Sequence, residues 1–497
     1  MLFNSIDFLI FFPLVTLVYF LLPHRVRWVW LLAASYYFYM CWNAKYAILI
    51  ALSTLITYLS GLLLGKAEEI GEERRRSARK KLWVALSFLS NLGILFFFKY
   101  FAFFLSNLSA AAELLGMTFR QPAFDVVLPV GISFYTFQAL SYTMDVYRGE
   151  MKPERNLFQY ALFVSFFPQL VAGPIERSPN LLLQVHEKHT FDPDRVRDGL
   201  LRMLWGMFQK IVIADRVAVL VTHVYDHYDT LPGGAVVVAT VLFAVQIYCD
   251  FAGYSNLAAG AAQVMGFRLM DNFRQPYLAR SVGEFWHRWH ISLSTWFRDY
   301  LYIPLGGNRK GKVRRYVNLM ITFLVSGLWH GASWSFVVWG GLNGGYQLVG
   351  SLLKPARDTV CRALHIHRER PFWVVLRTAF TFCLVDFAWL FFRAPSMRTA
   401  LGMIAHTVRE FRLTELLRGG LLTLGLGKAD LLVAVAAILV LIAADLLQEK
   451  YGSLRHYVTE RSLPVRWAVY LVGVLAVLVL GIYGPGYAES QFIYFQF

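Results

Sequence analysis

The residues best suited to chemistry are histidines that lie in apolar surroundings. His330 is in the segment Ser326–Trp334 (SGLWHGASW), and no Asp, Glu, Lys or Arg occurs from Tyr316 to Leu353. Burial disfavours the charged form of histidine, so we expect His330 to be neutral and able to accept a proton, as a general base does. A structural histidine bonded to a neighbouring helix explains the same context equally well, so the local sequence leaves both interpretations open.

His290 is the second candidate, and its segment is more polar. Glu284–Asn308 (EFWHRWHISLSTWFRDYLYIPLGGN) combines three tryptophans with Arg288, Arg298 and Asp299. Such a segment is too polar to span a membrane and too aromatic for a free loop. It predicts an amphipathic helix at the membrane interface or at the mouth of a cavity. Taken alone, it favours an interfacial anchor over a chemical role for His290.

A basic run, Arg309–Arg315 (RKGKVRR), follows this segment. Its side chains could bind phosphate groups, or could fix topology through the excess of positive charge in cytoplasmic loops. The candidates for phosphate binding are Arg309, Lys310, Lys312, Arg314 and Arg315.

Several enzyme signatures are absent from the sequence. It has no GxSxG elbow, no HExxH, no Walker A loop and no GxGxxG after a strand, which counts against serine hydrolases, metalloproteases and nucleotide-driven transporters. The cysteines are isolated and lack the spacing of zinc ligands, so we predict no metal.

The elements that position these residues are membrane spans. Of 497 residues, 57% are hydrophobic and 16% are charged, well below the roughly 25% charged residues of soluble domains. The net charge of +16 lies mostly in short loops between apolar runs, so we expect a lipid bilayer and no nucleic acid as partner. We predict an all-α polytopic membrane protein with about ten to twelve transmembrane helices plus re-entrant or interfacial helices. The clearest runs are Ile6–Leu22, Trp28–Trp42, Tyr46–Leu64, Leu82–Leu105, Trp373–Phe392, Leu431–Leu447 and Val465–Tyr483.

Charge in the loops gives an orientation. The predicted loop Lys66–Lys81 holds seven basic residues against four glutamates, and should be cytoplasmic. Counting back three spans then places the N-terminus outside.

Two central stretches exceed the length of one span. Tyr316–Leu353 would be about 57 Å long as a helix, so we predict a break at Gly331 or at Gly340–Gly341. Gly234–Phe267 is also too long, and it carries Asp250 in its interior. Such segments are tolerated at membrane depth when they line a cavity. We therefore divide a single membrane-embedded domain into scaffold spans 1–125, a core 126–353 and scaffold spans 354–497.

The two histidine segments resemble motifs of the membrane-bound O-acyltransferase family. Further resemblance, from near residue 1 to residue 497, lies in PVGISFYTFQALSYTMDVY, FPQLVAGPI, YCDFAGYSN, MGFRLMDNFRQPY, FAWLFFRA and the C-terminal FIYFQF. The nearer match is the bacterial branch that acetylates cell-surface polysaccharides such as alginate. One departure is His287, where the family pattern has arginine. This third histidine is either incidental or tunes the local charge.

The resemblance implies roles for particular residues. His330 matches the catalytic histidine of the family, and His290 matches the second motif histidine, which assists or orients. The implied fold is a ring of helices around a central tunnel, in which a cytoplasmic donor meets an acceptor from the other side. The basic run would then meet the donor. Asn343, Trp329 and Asp299 are further candidates for substrate or donor binding. In acyl transfer from a thioester, His290 or Asn343 could also hydrogen-bond the developing oxyanion.

The implied function is an O-acetyltransferase in the bacterial cytoplasmic (inner) membrane. Acetyl-CoA, or an acyl carrier protein thioester, would be the donor, and a polysaccharide the final acceptor. An extracytoplasmic acetyltransferase of the SGNH type would be a separate partner protein. The alternatives are another acceptor within the family, such as teichoic acid receiving D-alanine, a lipid or a protein, and a polytopic transporter.

Overall fold

The fold of the described chain is entirely helical. The structure is a computed structural model that describes residues 1–117, 128–171, 173–412, 420–483 and 492–493. Six helices in these ranges are long and apolar enough to cross a membrane. They are His24–Glu68, Glu73–Leu114, Gly233–Met265, Pro371–Arg393, Lys428–Tyr451 and Leu463–Leu480. Each of the first two is a continuous helical stretch in which a short 3-10 or π-helical segment separates two α-helices. A polytopic helical membrane protein is thereby confirmed. The span count of ten to twelve, the ring and the tunnel stay predictions.

The chain divides into two compact units, and the first comprises Met1–Leu200 with Leu257–Met270. Its helices are α1 Ile6–Leu21, α2 His24–Asn43, α3 Ala47–Glu68, α4 Glu73–Leu95, α5 Phe101–Leu114, α6 Ile132–Arg148, α7 Leu157–Ser165, α8 Phe167–Leu170 and α9 Ser178–His186. Helices α10 (Pro193–Met207) and α12 (Gly233–Met265) contribute residues to both units.

The second unit comprises Leu201–Asn256 and Asp271–Phe497. Its further helices are α11 Asp215–Asp226, α13 Val282–Arg288, α14 Ile291–Phe297, α15 Gly311–His330, α16 Trp334–Leu352, α17 Lys354–Ala363, α18 Pro371–Arg393, α19 Met397–Arg409, α20 Lys428–Tyr451, α21 Leu454–Thr459 and α22 Leu463–Leu480. The proposed division into 1–125, 126–353 and 354–497 stays a prediction.

Polar side chains inside the first unit bond across its packed helices. The Ser53 hydroxyl on α3 donates to Asn91 on α4 at 2.6 Å, and the Tyr160 hydroxyl on α7 donates to Thr57 on α3 at 2.7 Å. Buried polar groups need such partners, because an unmet donor or acceptor loses its bond to water. The basic segment Lys66–Lys81 is mostly helical, contrary to the predicted loop, since α3 runs to Glu68 and α4 begins at Glu73.

The predicted break at Gly331 is confirmed. Helix α15 ends at His330, Gly331 is extended, and α16 begins at Trp334. The two helices pack as an antiparallel hairpin with close backbone contact. A Cβ on Gly327 would lie 2.2 Å from the carbonyl oxygen of Phe336, so glycine is required for this approach. The hairpin places His330 at its turn.

The second long stretch, Gly234–Phe267, does not break, although it is too long for one span. Helix α12 is continuous over 33 residues, which corresponds to about 50 Å. Asp250 in its interior forms an ion pair with Lys210 at 2.6 Å, and Lys210 also contacts Asp215 at 2.8 Å. The helix can hold a carboxylate at this depth because the counter-charge comes from another segment of the chain.

Candidate active site

His330 lies in an aromatic pocket at the end of α15. It is 3% exposed. Its ring centroid lies 5.0 Å from Trp329, 4.9 Å from Trp339 and 5.3 Å from Phe392, each in an edge-to-face arrangement. Trp339 comes from α16 and Phe392 from α18, so three helices fix the imidazole. Trp329 thus lies beside the candidate catalytic residue, and its role in binding stays a prediction.

The structure brings His290 next to His330. The centroids of the two imidazole rings are 6.4 Å apart, and Trp329 lies 6.0 Å from His290. His290 is fully buried and contacts Phe251 of α12 at 4.6 Å. Forty residues of sequence therefore separate two side chains that share one aromatic pocket.

The backbone at His290 is strained. Its φ of 44° and ψ of 54° are left-handed, a conformation that residues other than glycine rarely adopt. It separates α13 from α14, so the single amphipathic helix predicted for Glu284–Asn308 is wrong. The local sequence gave no sign of this turn, because the bonds that hold it come from another segment. Strain of this kind persists where the surroundings enforce it, and it is concentrated at functional sites.

Asn272 is the residue that holds this turn. Its backbone carbonyl accepts a hydrogen bond from the Ile291 N–H at 3.0 Å, and its Oδ1 accepts one from the Ser292 hydroxyl at 2.6 Å. Its Nδ2 donates to the Ser255 hydroxyl of α12 at 3.0 Å. Asn272 is not among the site residues predicted from the sequence, although it lies in the segment MGFRLMDNFRQPY, which carries part of the family resemblance.

Burial makes His290 a neutral imidazole. Removal from solvent lowers the pKa of His290 to about 3, because the charged form loses its hydration. A neutral imidazole can accept a proton at one nitrogen while donating from the other. Beside His330, it can therefore exchange hydrogen bonds with a reacting group.

Asn343 braces the aromatic pocket. Its Oδ1 accepts a hydrogen bond from the Trp286 indole N–H at 3.1 Å, and its Nδ2 donates to the Trp339 carbonyl at 2.9 Å. Both of these tryptophans pack in the pocket, with ring centroids 5.6 Å apart. The hydrogen bonds described for Asn343 are thus with Trp286 and Trp339.

Asp299 and His287 occupy more exposed positions. Asp299 forms an ion pair with its neighbour Arg298 at 2.7 Å. His287 is exposed on α13, whereas Phe285 and Trp286 on the same helix are buried. A role for His287 in tuning the charge of the pocket loses support, and the incidental interpretation gains it.

The basic run lies at the other end of α15 from His330. Arg309 and Lys310 precede the helix, and Lys312, Arg314 and Arg315 lie in its first two turns, all five exposed. Arg315 is fifteen residues from His330 along one helix, or about 22 Å. The structure therefore separates the candidate phosphate-binding residues from the candidate base by most of a helix length.

Comparison with known proteins fixes the family. A model of the membrane-bound O-acyltransferase family matches residues 154–385. The chain is 37% identical to the probable alginate O-acetylase of Pseudomonas putida, and the match covers both chains completely. The chain belongs to the membrane-bound O-acyltransferase family.

Further relatives in this family have related names. The probable alginate O-acetylase of Azotobacter vinelandii is 40% identical over 88% of this chain and 84% of its own length. The peptidoglycan O-acetyltransferase of Helicobacter pylori is 33% identical over 82% of this chain and 80% of its own length. The protein is thus a membrane O-acyltransferase that uses an acyl donor. The alternative prediction of a polytopic transporter is not supported.

Proposed function

We propose that the protein transfers acetyl groups from cytoplasmic acetyl-CoA, across the bacterial cytoplasmic membrane, for the O-acetylation of an exported polysaccharide such as alginate. The names of the relatives support the acyl group and the class of acceptor. The observation that carries the mechanism is the pair of buried imidazoles, with ring centroids 6.4 Å apart.

His330 is the general base in this proposal. It takes the proton of the attacking hydroxyl, which belongs to the extracytoplasmic partner or to a carrier between the two proteins and not to the polymer, while the hydroxyl oxygen forms a bond to the thioester carbonyl carbon. The carbon–sulfur bond then breaks, and the leaving thiolate takes the proton from the imidazolium, which restores the neutral base. A thiol with a pKa of about 8.5 is a good leaving group, so activation of the hydroxyl is the demanding part of the reaction. One base beside the reacting atoms meets that demand.

His290 assists this step as an orienting residue. Its imidazole can donate a hydrogen bond to the oxyanion that forms on the carbonyl carbon, which stabilises the transition state in a site that excludes water. The strained turn supports this role, since Asn272 fixes the ring position before substrate arrives. Asn343 contributes by holding Trp286 and Trp339.

The donor enters from the cytoplasm. The exposed basic residues at the start of α15 provide an anionic binding surface, suited to coenzyme A phosphates or to an acidic acyl carrier protein. Asp299, beside this surface in sequence, would help to shape it. The proposed orientation has cytoplasmic basic segments, the N-terminus outside, and a tunnel within a ring of helices.

The acceptor side requires a partner. We propose that a separate extracytoplasmic acetyltransferase, of the SGNH type, passes the acetyl group to the polymer. A membrane enzyme that delivers acetyl groups across a bilayer would separate donor from acceptor, and the polymer would never have to enter the membrane.

The test is acetyl transfer by the purified full-length protein. Radiolabelled acetyl-CoA and the acetyl thioester of an acyl carrier protein are compared as donors, and mass spectrometry measures the acetyl content of polymer from a deletion strain complemented with each variant. His330→Ala should abolish transfer and acetylation, while His287→Ala, the matched exposed histidine, should keep both. Normal acetylation by His330→Ala would overturn the assignment of His330 as the base. If the deletion strain lost D-alanyl groups and kept its acetyl groups, the transferred group would be D-alanyl and the proposal of acetyl transfer would be wrong.

A further inference from the structure

A large cavity lies in the second unit, beside the segment that holds the turn at His290. Its volume is about 1110 Å³, and it is bounded by α10, α12, α20, α21, α22 and the segment 271–275. Neither His290 nor His330 is among the described residues that line it. The catalytic proposal leaves this cavity without a role.

One long wall of the cavity is apolar and opens sideways. Along α20 the lining runs from Leu432 to Gln448, a distance of about 24 Å. Three of the aliphatic lining residues are strongly exposed, with Leu432 at 63%, Val440 at 51% and Val472 at 66%. Both α20 and α22 are candidate spans, so this opening faces hydrocarbon chains in a membrane. A ligand that enters through this opening must come from the lipid phase and not from water.

The other end of the cavity is polar and carries cationic groups. Arg202, Arg274 and Arg455 line it, together with Asp271. Arg202 forms an ion pair with Asp271 at 2.6 Å and donates to Asn256 at 3.1 Å. Deeper in, Asp445 accepts a hydrogen bond from the Tyr248 hydroxyl at 3.2 Å.

Charge complementarity therefore favours a ligand with a negative head. Three arginines against two aspartates leave the lining with one net positive charge. Guanidinium groups bind phosphate oxygens with short, directional hydrogen bonds. A negative head and long apolar tails are the chemistry that matches the two ends of this cavity.

We propose that the cavity is a binding site for an anionic phospholipid, with its phosphate at Arg274 and Arg455 and its acyl chains along α20 and α22. The wall along α20 is longer than one leaflet of the ~30 Å hydrocarbon core, which suits an acyl chain. A bound lipid would also brace Asn272, which lines the cavity and holds the turn at His290. The lipid site stands whatever the acyl acceptor proves to be.

The test uses the full-length protein in detergent, with dioleoyl phosphatidylglycerol and dioleoyl phosphatidylcholine as probes. Native mass spectrometry measures retained lipid, and thermal unfolding measures stabilisation. Arg274→Gln with Arg455→Gln should weaken phosphatidylglycerol binding roughly 25-fold. Arg461→Gln with Arg466→Gln removes the same charge outside the lining and should leave binding unchanged. Equal binding of both lipids, or equal effects of the two double variants, would overturn the proposal.

A second pair of variants tests the apolar wall. Ala436 lines the cavity, whereas Leu439 on the same helix does not. Ala436→Phe should fill the groove and abolish lipid retention, while Leu439→Phe should keep it. Coenzyme A is the competing probe, because it also carries phosphates. If coenzyme A displaces phosphatidylglycerol and depends on the same arginines, the cavity is a donor site and the lipid proposal is wrong.

Discussion

Two groups of buried ionisable side chains lie in the second unit, and their surroundings differ. One is surrounded by opposite charges and the other by aromatic rings. Lys210 forms ion pairs with Asp215 and Asp250 at 2.8 and 2.6 Å. The backbone N–H of Ile493 also donates to Asp250 at 2.7 Å. His290 and His330, in contrast, lie among tryptophan and phenylalanine rings.

The difference separates a structural use of charge from a chemical one. In the Lys210 cluster, each charged group lies within 2.8 Å of an opposite charge, so the charges form ion pairs inside the protein. In the histidine pair, the aromatic surroundings keep His290 neutral, which leaves proton-accepting capacity in the site. The comparison predicts that the first group controls folding and the second controls turnover.

The largest expected effect on stability comes from the Lys210 cluster. Lys210→Met leaves two carboxylates buried without their lysine, which should destabilise the protein by about 3–5 kcal/mol. Thermal unfolding in detergent measures this effect. Combining it with Asp215→Asn and Asp250→Asn should restore folding and acyl transfer together. If the triple variant folded but did not transfer acyl groups, the Lys210 cluster would have a catalytic role. The distinction between a structural and a chemical group would then be wrong.

The strongest effect on turnover after His330 should come from His290. Asparagine tolerates the left-handed backbone, so His290→Asn should fold normally while acyl transfer falls roughly 100-fold, as for the loss of one oxyanion donor. Transfer and thermal unfolding are measured on the same preparation. Unchanged transfer would reduce His290 to a structural residue.

Acid should destabilise the protein through His290. Its pKa is about 3 when folded and about 6.5 when unfolded, so the unfolded chain binds more protons between these values. Stability is unaffected by this residue above pH 6.5 and falls as the pH decreases, by about 2 kcal/mol between pH 7 and pH 5. His290→Asn should flatten that slope. An identical slope in the variant and the parent protein would contradict a buried, neutral His290.

The smallest expected effect concerns the support of the strained turn. Asn272→Ala removes the acceptor for Ser292 and should cost about 1–2 kcal/mol in stability, with a measurable loss of transfer. Ser255→Ala is the matched control, because it removes only the bond from Asn272 Nδ2 and keeps the bond to Ser292. Equal losses of transfer in the two variants would mean that the bond from Ser292 to Asn272 Oδ1 is not what supports the turn.

Local sequence predicted those features that depend on nearby residues. The break at Gly331 followed from length, since a 38-residue helix exceeds the membrane, and Gly331 lies between the two halves. The same argument from length does not apply to α12. Lys210, forty residues away in sequence, neutralises Asp250 and allows one long helix. The turn at His290 was also hidden, since its geometry depends on hydrogen bonds to Asn272. The resemblance of the two histidine motifs, and not their local context, indicated that His290 and His330 belong to one site.

The most direct test of the central claim is the rate of thiol release from acetyl-CoA in a single turnover with acceptor present. His330→Gln keeps a polar side chain of similar length but cannot act as a base at neutral pH. We expect release to slow roughly 100-fold or more, with the unfolding temperature and donor affinity unchanged. A rate within a few-fold of the parent protein, in a folded variant, would contradict His330 as the general base.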